Sequence, residues 1–152
     1  MEKKKQIDHS LGYNIHMVSH FLKNIYNERL GEYGLTHAQA KVIYFLATSG
    51  EQSQTEMQKR LHIQASSMNG LIESLLKHER ILKRPSETDK RTKLISLTDQ
   101  GLDLYDTILQ IIDEIETEAT EGLSWEEEQV MNAWLKKMQN NLNRDLTRRD
   151  GK

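Results

Sequence analysis

At 152 residues, with 36% hydrophobic and 29% charged side chains, the chain has the balance of one soluble helical domain, alone or with a helical appendage, and not of a disordered segment. It contains no cysteine, which excludes disulfides, thiolate metal sites and a thiol redox switch and fits a cytoplasmic address. No stretch approaches the roughly 18 apolar residues of a membrane span, and the opening "MEKKKQIDHS" lacks the apolar core of a signal peptide.

In chain order, "SLGYNIHMVSHFLKNIYNERL" places Leu11, Ile15, Val18, Leu22 and Ile25 on a seam that steps by 4 and 3, with Phe21 and Tyr26 on a neighbouring face. That spacing predicts a helix, closed by Gly31 and Gly34. "LTHAQAKVIYFLATSG" opens with Thr36 three residues before Gln39, a capping-box spacing, and buries Val42, Phe45 and Leu46 before Gly50. "SQTEMQKRL" repeats the device with Ser53 and Glu56 and predicts a short helix held by Met57 and Leu61.

After a tight turn, "QASSMNGLIESLLKH" puts Met68, Leu71, Ile72 and Leu75 on one side. Two short helices joined in this way form a helix-turn-helix. The open side of the second carries Gln64, Ser66, Ser67, Asn69 and Gly70, small and mostly polar, where an ordinary surface helix would carry long Glu/Lys pairs. Such residues let a helix lie in the DNA major groove and hydrogen-bond base edges or phosphates; a serine-rich helix start favoured by capping is the plainer alternative.

"ILKR" and "KLISL" read as the two strands of a hairpin, with a loop from Pro85 to Thr92 between them. Cations crowd this region. Residues 77–93 hold seven Lys/Arg against three Asp/Glu, whereas residues 99–128 hold eleven Asp/Glu and no Lys or Arg. The net charge of −2 hides this polarity, which allows one face to bind a polyanion while another repels it. By itself, a charged hairpin tip is also what keeps a sheet edge from aggregating.

Thr98 is placed to cap a long helix in which Leu102, Tyr105, Leu109, Ile112 and Ala119 keep a heptad-like seam, widened by Ile108 and Ile115, before Gly122. A third capping box, Ser124 with Glu127, starts a last helix expected to bury Val130, Trp134, Met138 and Leu142, with acids in its first turn where the helix dipole favours them.

The stretches "LTHAQAKVIYFL", "SQTEMQKRLHI", "SSMNGLIESLLKHERILKR" and above all "DKRTKLISLTDQG" resemble the MarR family of bacterial transcriptional regulators, in an order running from about Ser10 to Leu146. Asp89, Arg91, Leu97, Thr98 and Gly101 are similar to the family's wing signature, an acid-x-Arg at the tip followed by a strand and Leu-Thr-x-x-Gly. The resemblance implies a mainly α fold with a two-stranded β wing: a winged helix-turn-helix over residues 35–98, flanked by N- and C-terminal dimerisation helices over 1–34 and 99–152. It implies a repressor-type regulator, bound as a homodimer to pseudo-palindromic double-stranded DNA.

In such a dimer Arg91 would enter the minor groove, Asp89 would brace its guanidinium, and Lys83, Arg84, Lys90 and Lys93 would meet phosphates. The family usually has Gly at the turn after the recognition helix. Here Glu79 and Arg80 stand there, and since a left-handed non-Gly residue costs about 1 kcal/mol or more, a turn of different shape is expected.

The resemblance also implies a pocket for a small aromatic or phenolic effector, for which Tyr13, His16, His20, His37, Tyr44 and Tyr105 are the candidates, each equally placed to be ordinary core. His16 and His20, four apart on one helix, could start a metal site, but zinc needs three or four ligands and no Cys is available; no metal or other cofactor is expected. No nucleophile elbow, Gly-rich phosphate loop or HExxH is present, so no enzyme is expected. The competing reading is a helical protein-interaction adaptor without DNA binding, indifferent to Arg91; a metal-responsive regulator is a second alternative.

Overall fold

The computed structural model describes residues 6–150, which divide into two compact units at Ile115 and Glu116. After a single 3-10 turn at Ile7–His9, the order is α1 (Leu11–Gly31), α2 (His37–Ser49), β1 (Gln52–Ser53), α3 (Gln54–Leu61), α4 (Ala65–Lys77), β2 (Ile81–Pro85), β3 (Lys93–Leu97), α5 (Asp99–Ala119) and α6 (Trp125–Asp150).

Local chemistry sets most boundaries. Both the Thr36/Gln39 and the Ser53/Glu56 capping boxes are closed in both directions, so each helix start satisfies two otherwise orphaned amides. Ser124 and Glu127 do the same at the start of α6, with bonds of 3.0 and 3.1 Å. Each such cap is worth about 1 kcal/mol, enough to place an end but not to hold a fold.

The fold is held by the core of the first unit. Val42 and Ile43 of α2, Met57 of α3, Met68, Ile72 and Leu75 of α4, Ile81 and Ile95 of the sheet, and Ile108 and Ile115 of α5 are all essentially sealed from water. At about 1.5–3 kcal/mol for each large side chain, this cluster far outweighs the caps.

The sheet has three strands in the order β1-β3-β2, both pairs antiparallel, where the sequence gives only the two strands of the hairpin. Gln52 pairs with Ile95 and Ser53 with Leu94, too short a pairing to show as alternation in the sequence. Pro85, expected in the loop, instead closes β2 opposite Lys93; it is tolerated because β2 is an edge strand.

The turn after α4 keeps its left-handed shape without glycine: Glu79 takes φ 58°, contrary to the altered turn expected there. The conformation is held from within by the Arg80 amide, which donates back to Leu75 O of α4 at 2.9 Å, and from outside by the Thr98 hydroxyl, which donates to the Glu79 carbonyl at 2.7 Å.

Two expected seams are also corrected. In α5 the buried stripe is Ile108, Ile111 and Ile115, whereas Leu102 and Leu109 of the expected seam are exposed. In α6, Val130, Trp134 and Leu142 are exposed and Met138 is half-buried; the helix has no fully buried residue.

Candidate nucleic-acid interface

The apolar side of α4 fixes which residues it can show. Met68, Ile72 and Leu75 are buried, and Gln64, Ser66, Ser67, Asn69 and Gly70 are therefore all exposed. Gln64 stands at the N-cap position but makes no side-chain capping bond, and a Cβ added at Gly70 would meet nothing within 4 Å. Ser74 is turned inward, accepting from Gln39 Nε2 at 2.9 Å. Beside this face, Gln54 at the start of α3 donates from Nε2 to Asn69 Oδ1 at 2.6 Å.

The wing begins from a fixed root. Thr98 Oγ1 accepts from the Gly101 amide at 3.1 Å, capping α5, while the Thr98 amide donates to Arg80 O at 3.2 Å. Arg80 in turn donates through its guanidinium to Tyr33 O and Gly34 O at 2.8 and 2.9 Å, joining the wing root to the turn between α1 and α2. Gly101 answers a packing demand: a Cβ there would run into the Arg80 carbonyl oxygen and lie 2.9 Å from Leu97 Cδ2.

At the tip, Asp89 does not brace the guanidinium of Arg91 as expected. Its Oδ1 accepts from the Arg91 backbone amide at 3.0 Å and its Oδ2 from the Thr92 hydroxyl at 3.2 Å, while its carbonyl accepts from the Thr92 amide at 3.0 Å. An acid two residues before a turn amide is well placed for this Asx-type closure. Asp89 thus shapes the loop, and the Arg91 side chain stays exposed, as do Lys83, Lys90 and Lys93.

Arg84 has a different occupation. Its Nη2 and Nε donate to the two oxygens of Glu51 at 2.7 and 3.0 Å, reaching from β2 to the residue before β1. The bond holds the Glu51 carboxyl below its ordinary range and raises the Arg84 guanidinium further. Neither Glu51 nor Gln54 stands out in sequence, because what singles them out is a partner fifteen or more positions away.

Of the effector candidates, His37 and Tyr44 line one cavity of about 130 Å³ with Tyr26, Leu30, Ala40, Lys41, Ile108 and Ile112. Tyr105 packs on Tyr44 with ring centroids 6.0 Å apart. His37 lies flat on Tyr26, centroids 4.4 Å apart and planes 3° apart. Its pKa falls to about 4, first because burial penalises the imidazolium and then because Lys41 and Lys23 repel it. Tyr13, His16 and His20 lie on α1 and do not line this cavity; the two histidine rings stack on each other at 6.5 Å. Among the described residues no group of three or more His, Cys, Asp or Glu side chains could hold a metal ion, and no helix is long and apolar enough to cross a membrane.

Residues 35–93, from the approach to α2 through the wing tip, match the sequence model of the MarR family. The multiple antibiotic resistance protein MarR of Escherichia coli (strain K12) is 26% identical over 129 residues, covering 84% of this chain and 90% of that protein. An uncharacterized HTH-type transcriptional regulator of Bacillus subtilis (strain 168), YwoH, is 29% identical over 102 residues, covering 67% of this chain and 74% of that one. Among solved structures, a mutant MarR from E. coli complexed with operator DNA superposes with a TM-score of 0.78 at 26% identity, over 84% of this chain and 92% of that chain. The S. aureus MepR–DNA complex gives 0.80 at 27% identity, over 87% and 98%. With a helix-turn-helix of α3 and α4, a wing of β2 and β3, and relatives that match over most of their length, the chain is similar to MarR-type regulators, and its residues 35–93 carry that family's sequence pattern.

Proposed function

We propose that this protein is a sequence-specific DNA-binding transcriptional regulator of repressor type that binds a pseudo-palindromic duplex as a homodimer. The reading rests above all on one juxtaposition: an α4 face of small polar residues stands open beside a hairpin whose tip exposes Lys90 and Arg91. Ser66, Ser67 and Asn69 offer hydroxyls and an amide to the major groove, and Gly70 lets the backbone approach. Arg91, with its guanidinium left uncommitted by Asp89, is suited to the negative potential of a narrow A·T-rich minor groove. Lys83, Lys90 and Lys93 supply phosphate contacts. The similar structures that hold operator DNA support the same assignment.

Residues 35–98 are the DNA-reading domain in this proposal. The helices before and after it join two copies, so that both α4 helices meet one face of the duplex about 34 Å apart. The cavity lined by His37, Lys41 and Tyr44 would take a small aromatic or phenolic effector, whose arrival shifts the DNA-binding equilibrium.

Selection of bound sequences from random duplex DNA at two salt concentrations tests the proposal. Arg91→Ala should weaken the selected site by about 1–3 kcal/mol and flatten any preference for flanking A·T pairs. A helical adaptor that does not bind DNA would enrich nothing and be indifferent to Arg91.

A further inference from the structure

The amide of Asn69 has a partner within its own chain. Gln54 Nε2 donates to its Oδ1 at 2.6 Å, from a neighbouring helix fifteen residues earlier in the chain. A side-chain amide carries its acceptor oxygen and its NH2 donor on opposite branches of one planar group, so committing the oxygen to Gln54 directs the Nδ2 protons away from it. Neighbouring Met68 and Ile72, both buried, fix the rotation of α4 and keep Asn69 on the open face.

An unrestrained Asn can face adenine with both branches, accepting from N6 and donating to N7. A held Asn offers its donor. In the major groove, guanine presents acceptors at O6 and N7 and thymine at O4, whereas adenine sets beside its N7 acceptor an amino group that opposes a second donor, and cytosine presents only its amino group. We propose that Gln54 is a specificity-determining residue acting through Asn69, holding its NH2 toward the groove so that the pair selects guanine or thymine at one base pair of each half-site. This rests on the DNA-binding reading above.

The proposal carries a reversal as its test. In Gln54→Glu the new carboxylate can only accept, so Asn69 must turn its amide to donate, and Oδ1 then faces the groove. Adenine N6 or cytosine N4 becomes the favoured partner. Glu is welcome at the first position of α3, where the helix dipole stabilises it, and a thermal melt confirms folding. The added charge lowers affinity on all sequences alike, so base preference is the quantity to read.

Random-duplex selection with the full chain should show the parent favouring guanine or thymine by on the order of tenfold at one position per half-site. Asn69→Ala should flatten that position alone, and Gln54→Glu should invert it, leaving the others unchanged. If Gln54→Glu enriches the same base as the parent there, or alters a different position from Asn69→Ala, the proposal is overturned. A parent that enriches no sequence even at low salt overturns the DNA-binding reading itself, and the proposal falls with it.

Discussion

A guanidinium can hold a phosphate or a carboxylate, and Arg84 holds Glu51 through two bonds at 2.7 and 3.0 Å. The pair spans the sheet from β2 to the residue before β1, so it stiffens the wing root while removing one cation from the set available to DNA. Arg84→Ala should therefore leave the slope of log affinity against log salt nearly unchanged, because a phosphate contact is what contributes about 1 to it. Glu51→Ala should release the guanidinium, steepen the slope and tighten binding at low salt. A slope that falls by about 1 in Arg84→Ala would show that Arg84 leaves Glu51 for the backbone of DNA.

His37 gives a second prediction, in pH. Its pKa drops from an ordinary 6.5 to about 4 on folding, so the folded protein binds fewer protons than the unfolded chain between those values. Its contribution to stability is complete above about pH 6.5 and is lost as pH falls toward 4. His37→Phe, which keeps a ring against Tyr26, should lose less of its urea midpoint between pH 7 and pH 5 than the parent; equal losses would refute the assignment. Residue types on the open face of α4 were legible in the sequence because burial of Met68 and Ile72 dictates them. The jobs of Asp89, Glu51 and Gln54 were not. A carboxylate or amide has several partners within reach of a flexible chain, and only the fold chooses among a guanidinium, a backbone amide and another side chain.

Helices and strands were legible to the extent that their signals are local. Caps at Thr36, Ser53, Thr98 and Ser124 each lie within three residues of the amides they satisfy, so the sequence shows them directly. β1, only two residues long, exists because β3 offers it an edge, and nothing in "QS" announces it. The phase error in α5 has a similar origin. Leu102, Leu104, Tyr105, Ile108, Leu109, Ile111, Ile112 and Ile115 make a stripe too wide to identify one seam, and contact with the first unit's core decides that Ile108, Ile111 and Ile115 go inside. The glycine of Leu-Thr-x-x-Gly belongs to this scale too. It lets the first turn of α5 approach the Arg80 carbonyl, which itself holds the Thr98 amide at 3.2 Å. Gly101→Ala should push α5 off the wing root and cost about 1–3 kcal/mol, as overpacking does elsewhere. Urea unfolding measures this directly. An unchanged midpoint would mean that the helix start yields freely, and the wing would then be less rigidly set than its hydrogen bonds imply.

For the molecule as a whole, the telling feature is how much apolar surface lies on the segments outside residues 35–98. On α1, Leu11 is 71% exposed, Val18 56% and Phe21 57%, and on α6 Trp134, Leu142 and Leu146 are all 60% or more exposed. Isolated exposed leucines need no explanation, but seams of them at helical spacing mark surfaces that bury against another chain. In the proposed function the partner is a second copy, since the two halves of a pseudo-palindromic site must be met by two identical readers. In a two-fold interface every substitution is made twice. Burying one valine is worth about 1.5–3 kcal/mol, so Val18→Glu, losing that gain on both protomers and adding a charge in need of water, should weaken association by at least a hundredfold. Sedimentation velocity at micromolar concentration should then find a dimer for the parent and a monomer for the variant. DNA affinity should fall with it although no DNA-facing residue has changed, because each half-site must now be bound alone. A parent that sediments as a monomer, or a Val18→Glu protein that stays dimeric with undiminished affinity, would leave the exposed seams of α1 and α6 without this role and require each α4 to read its site independently.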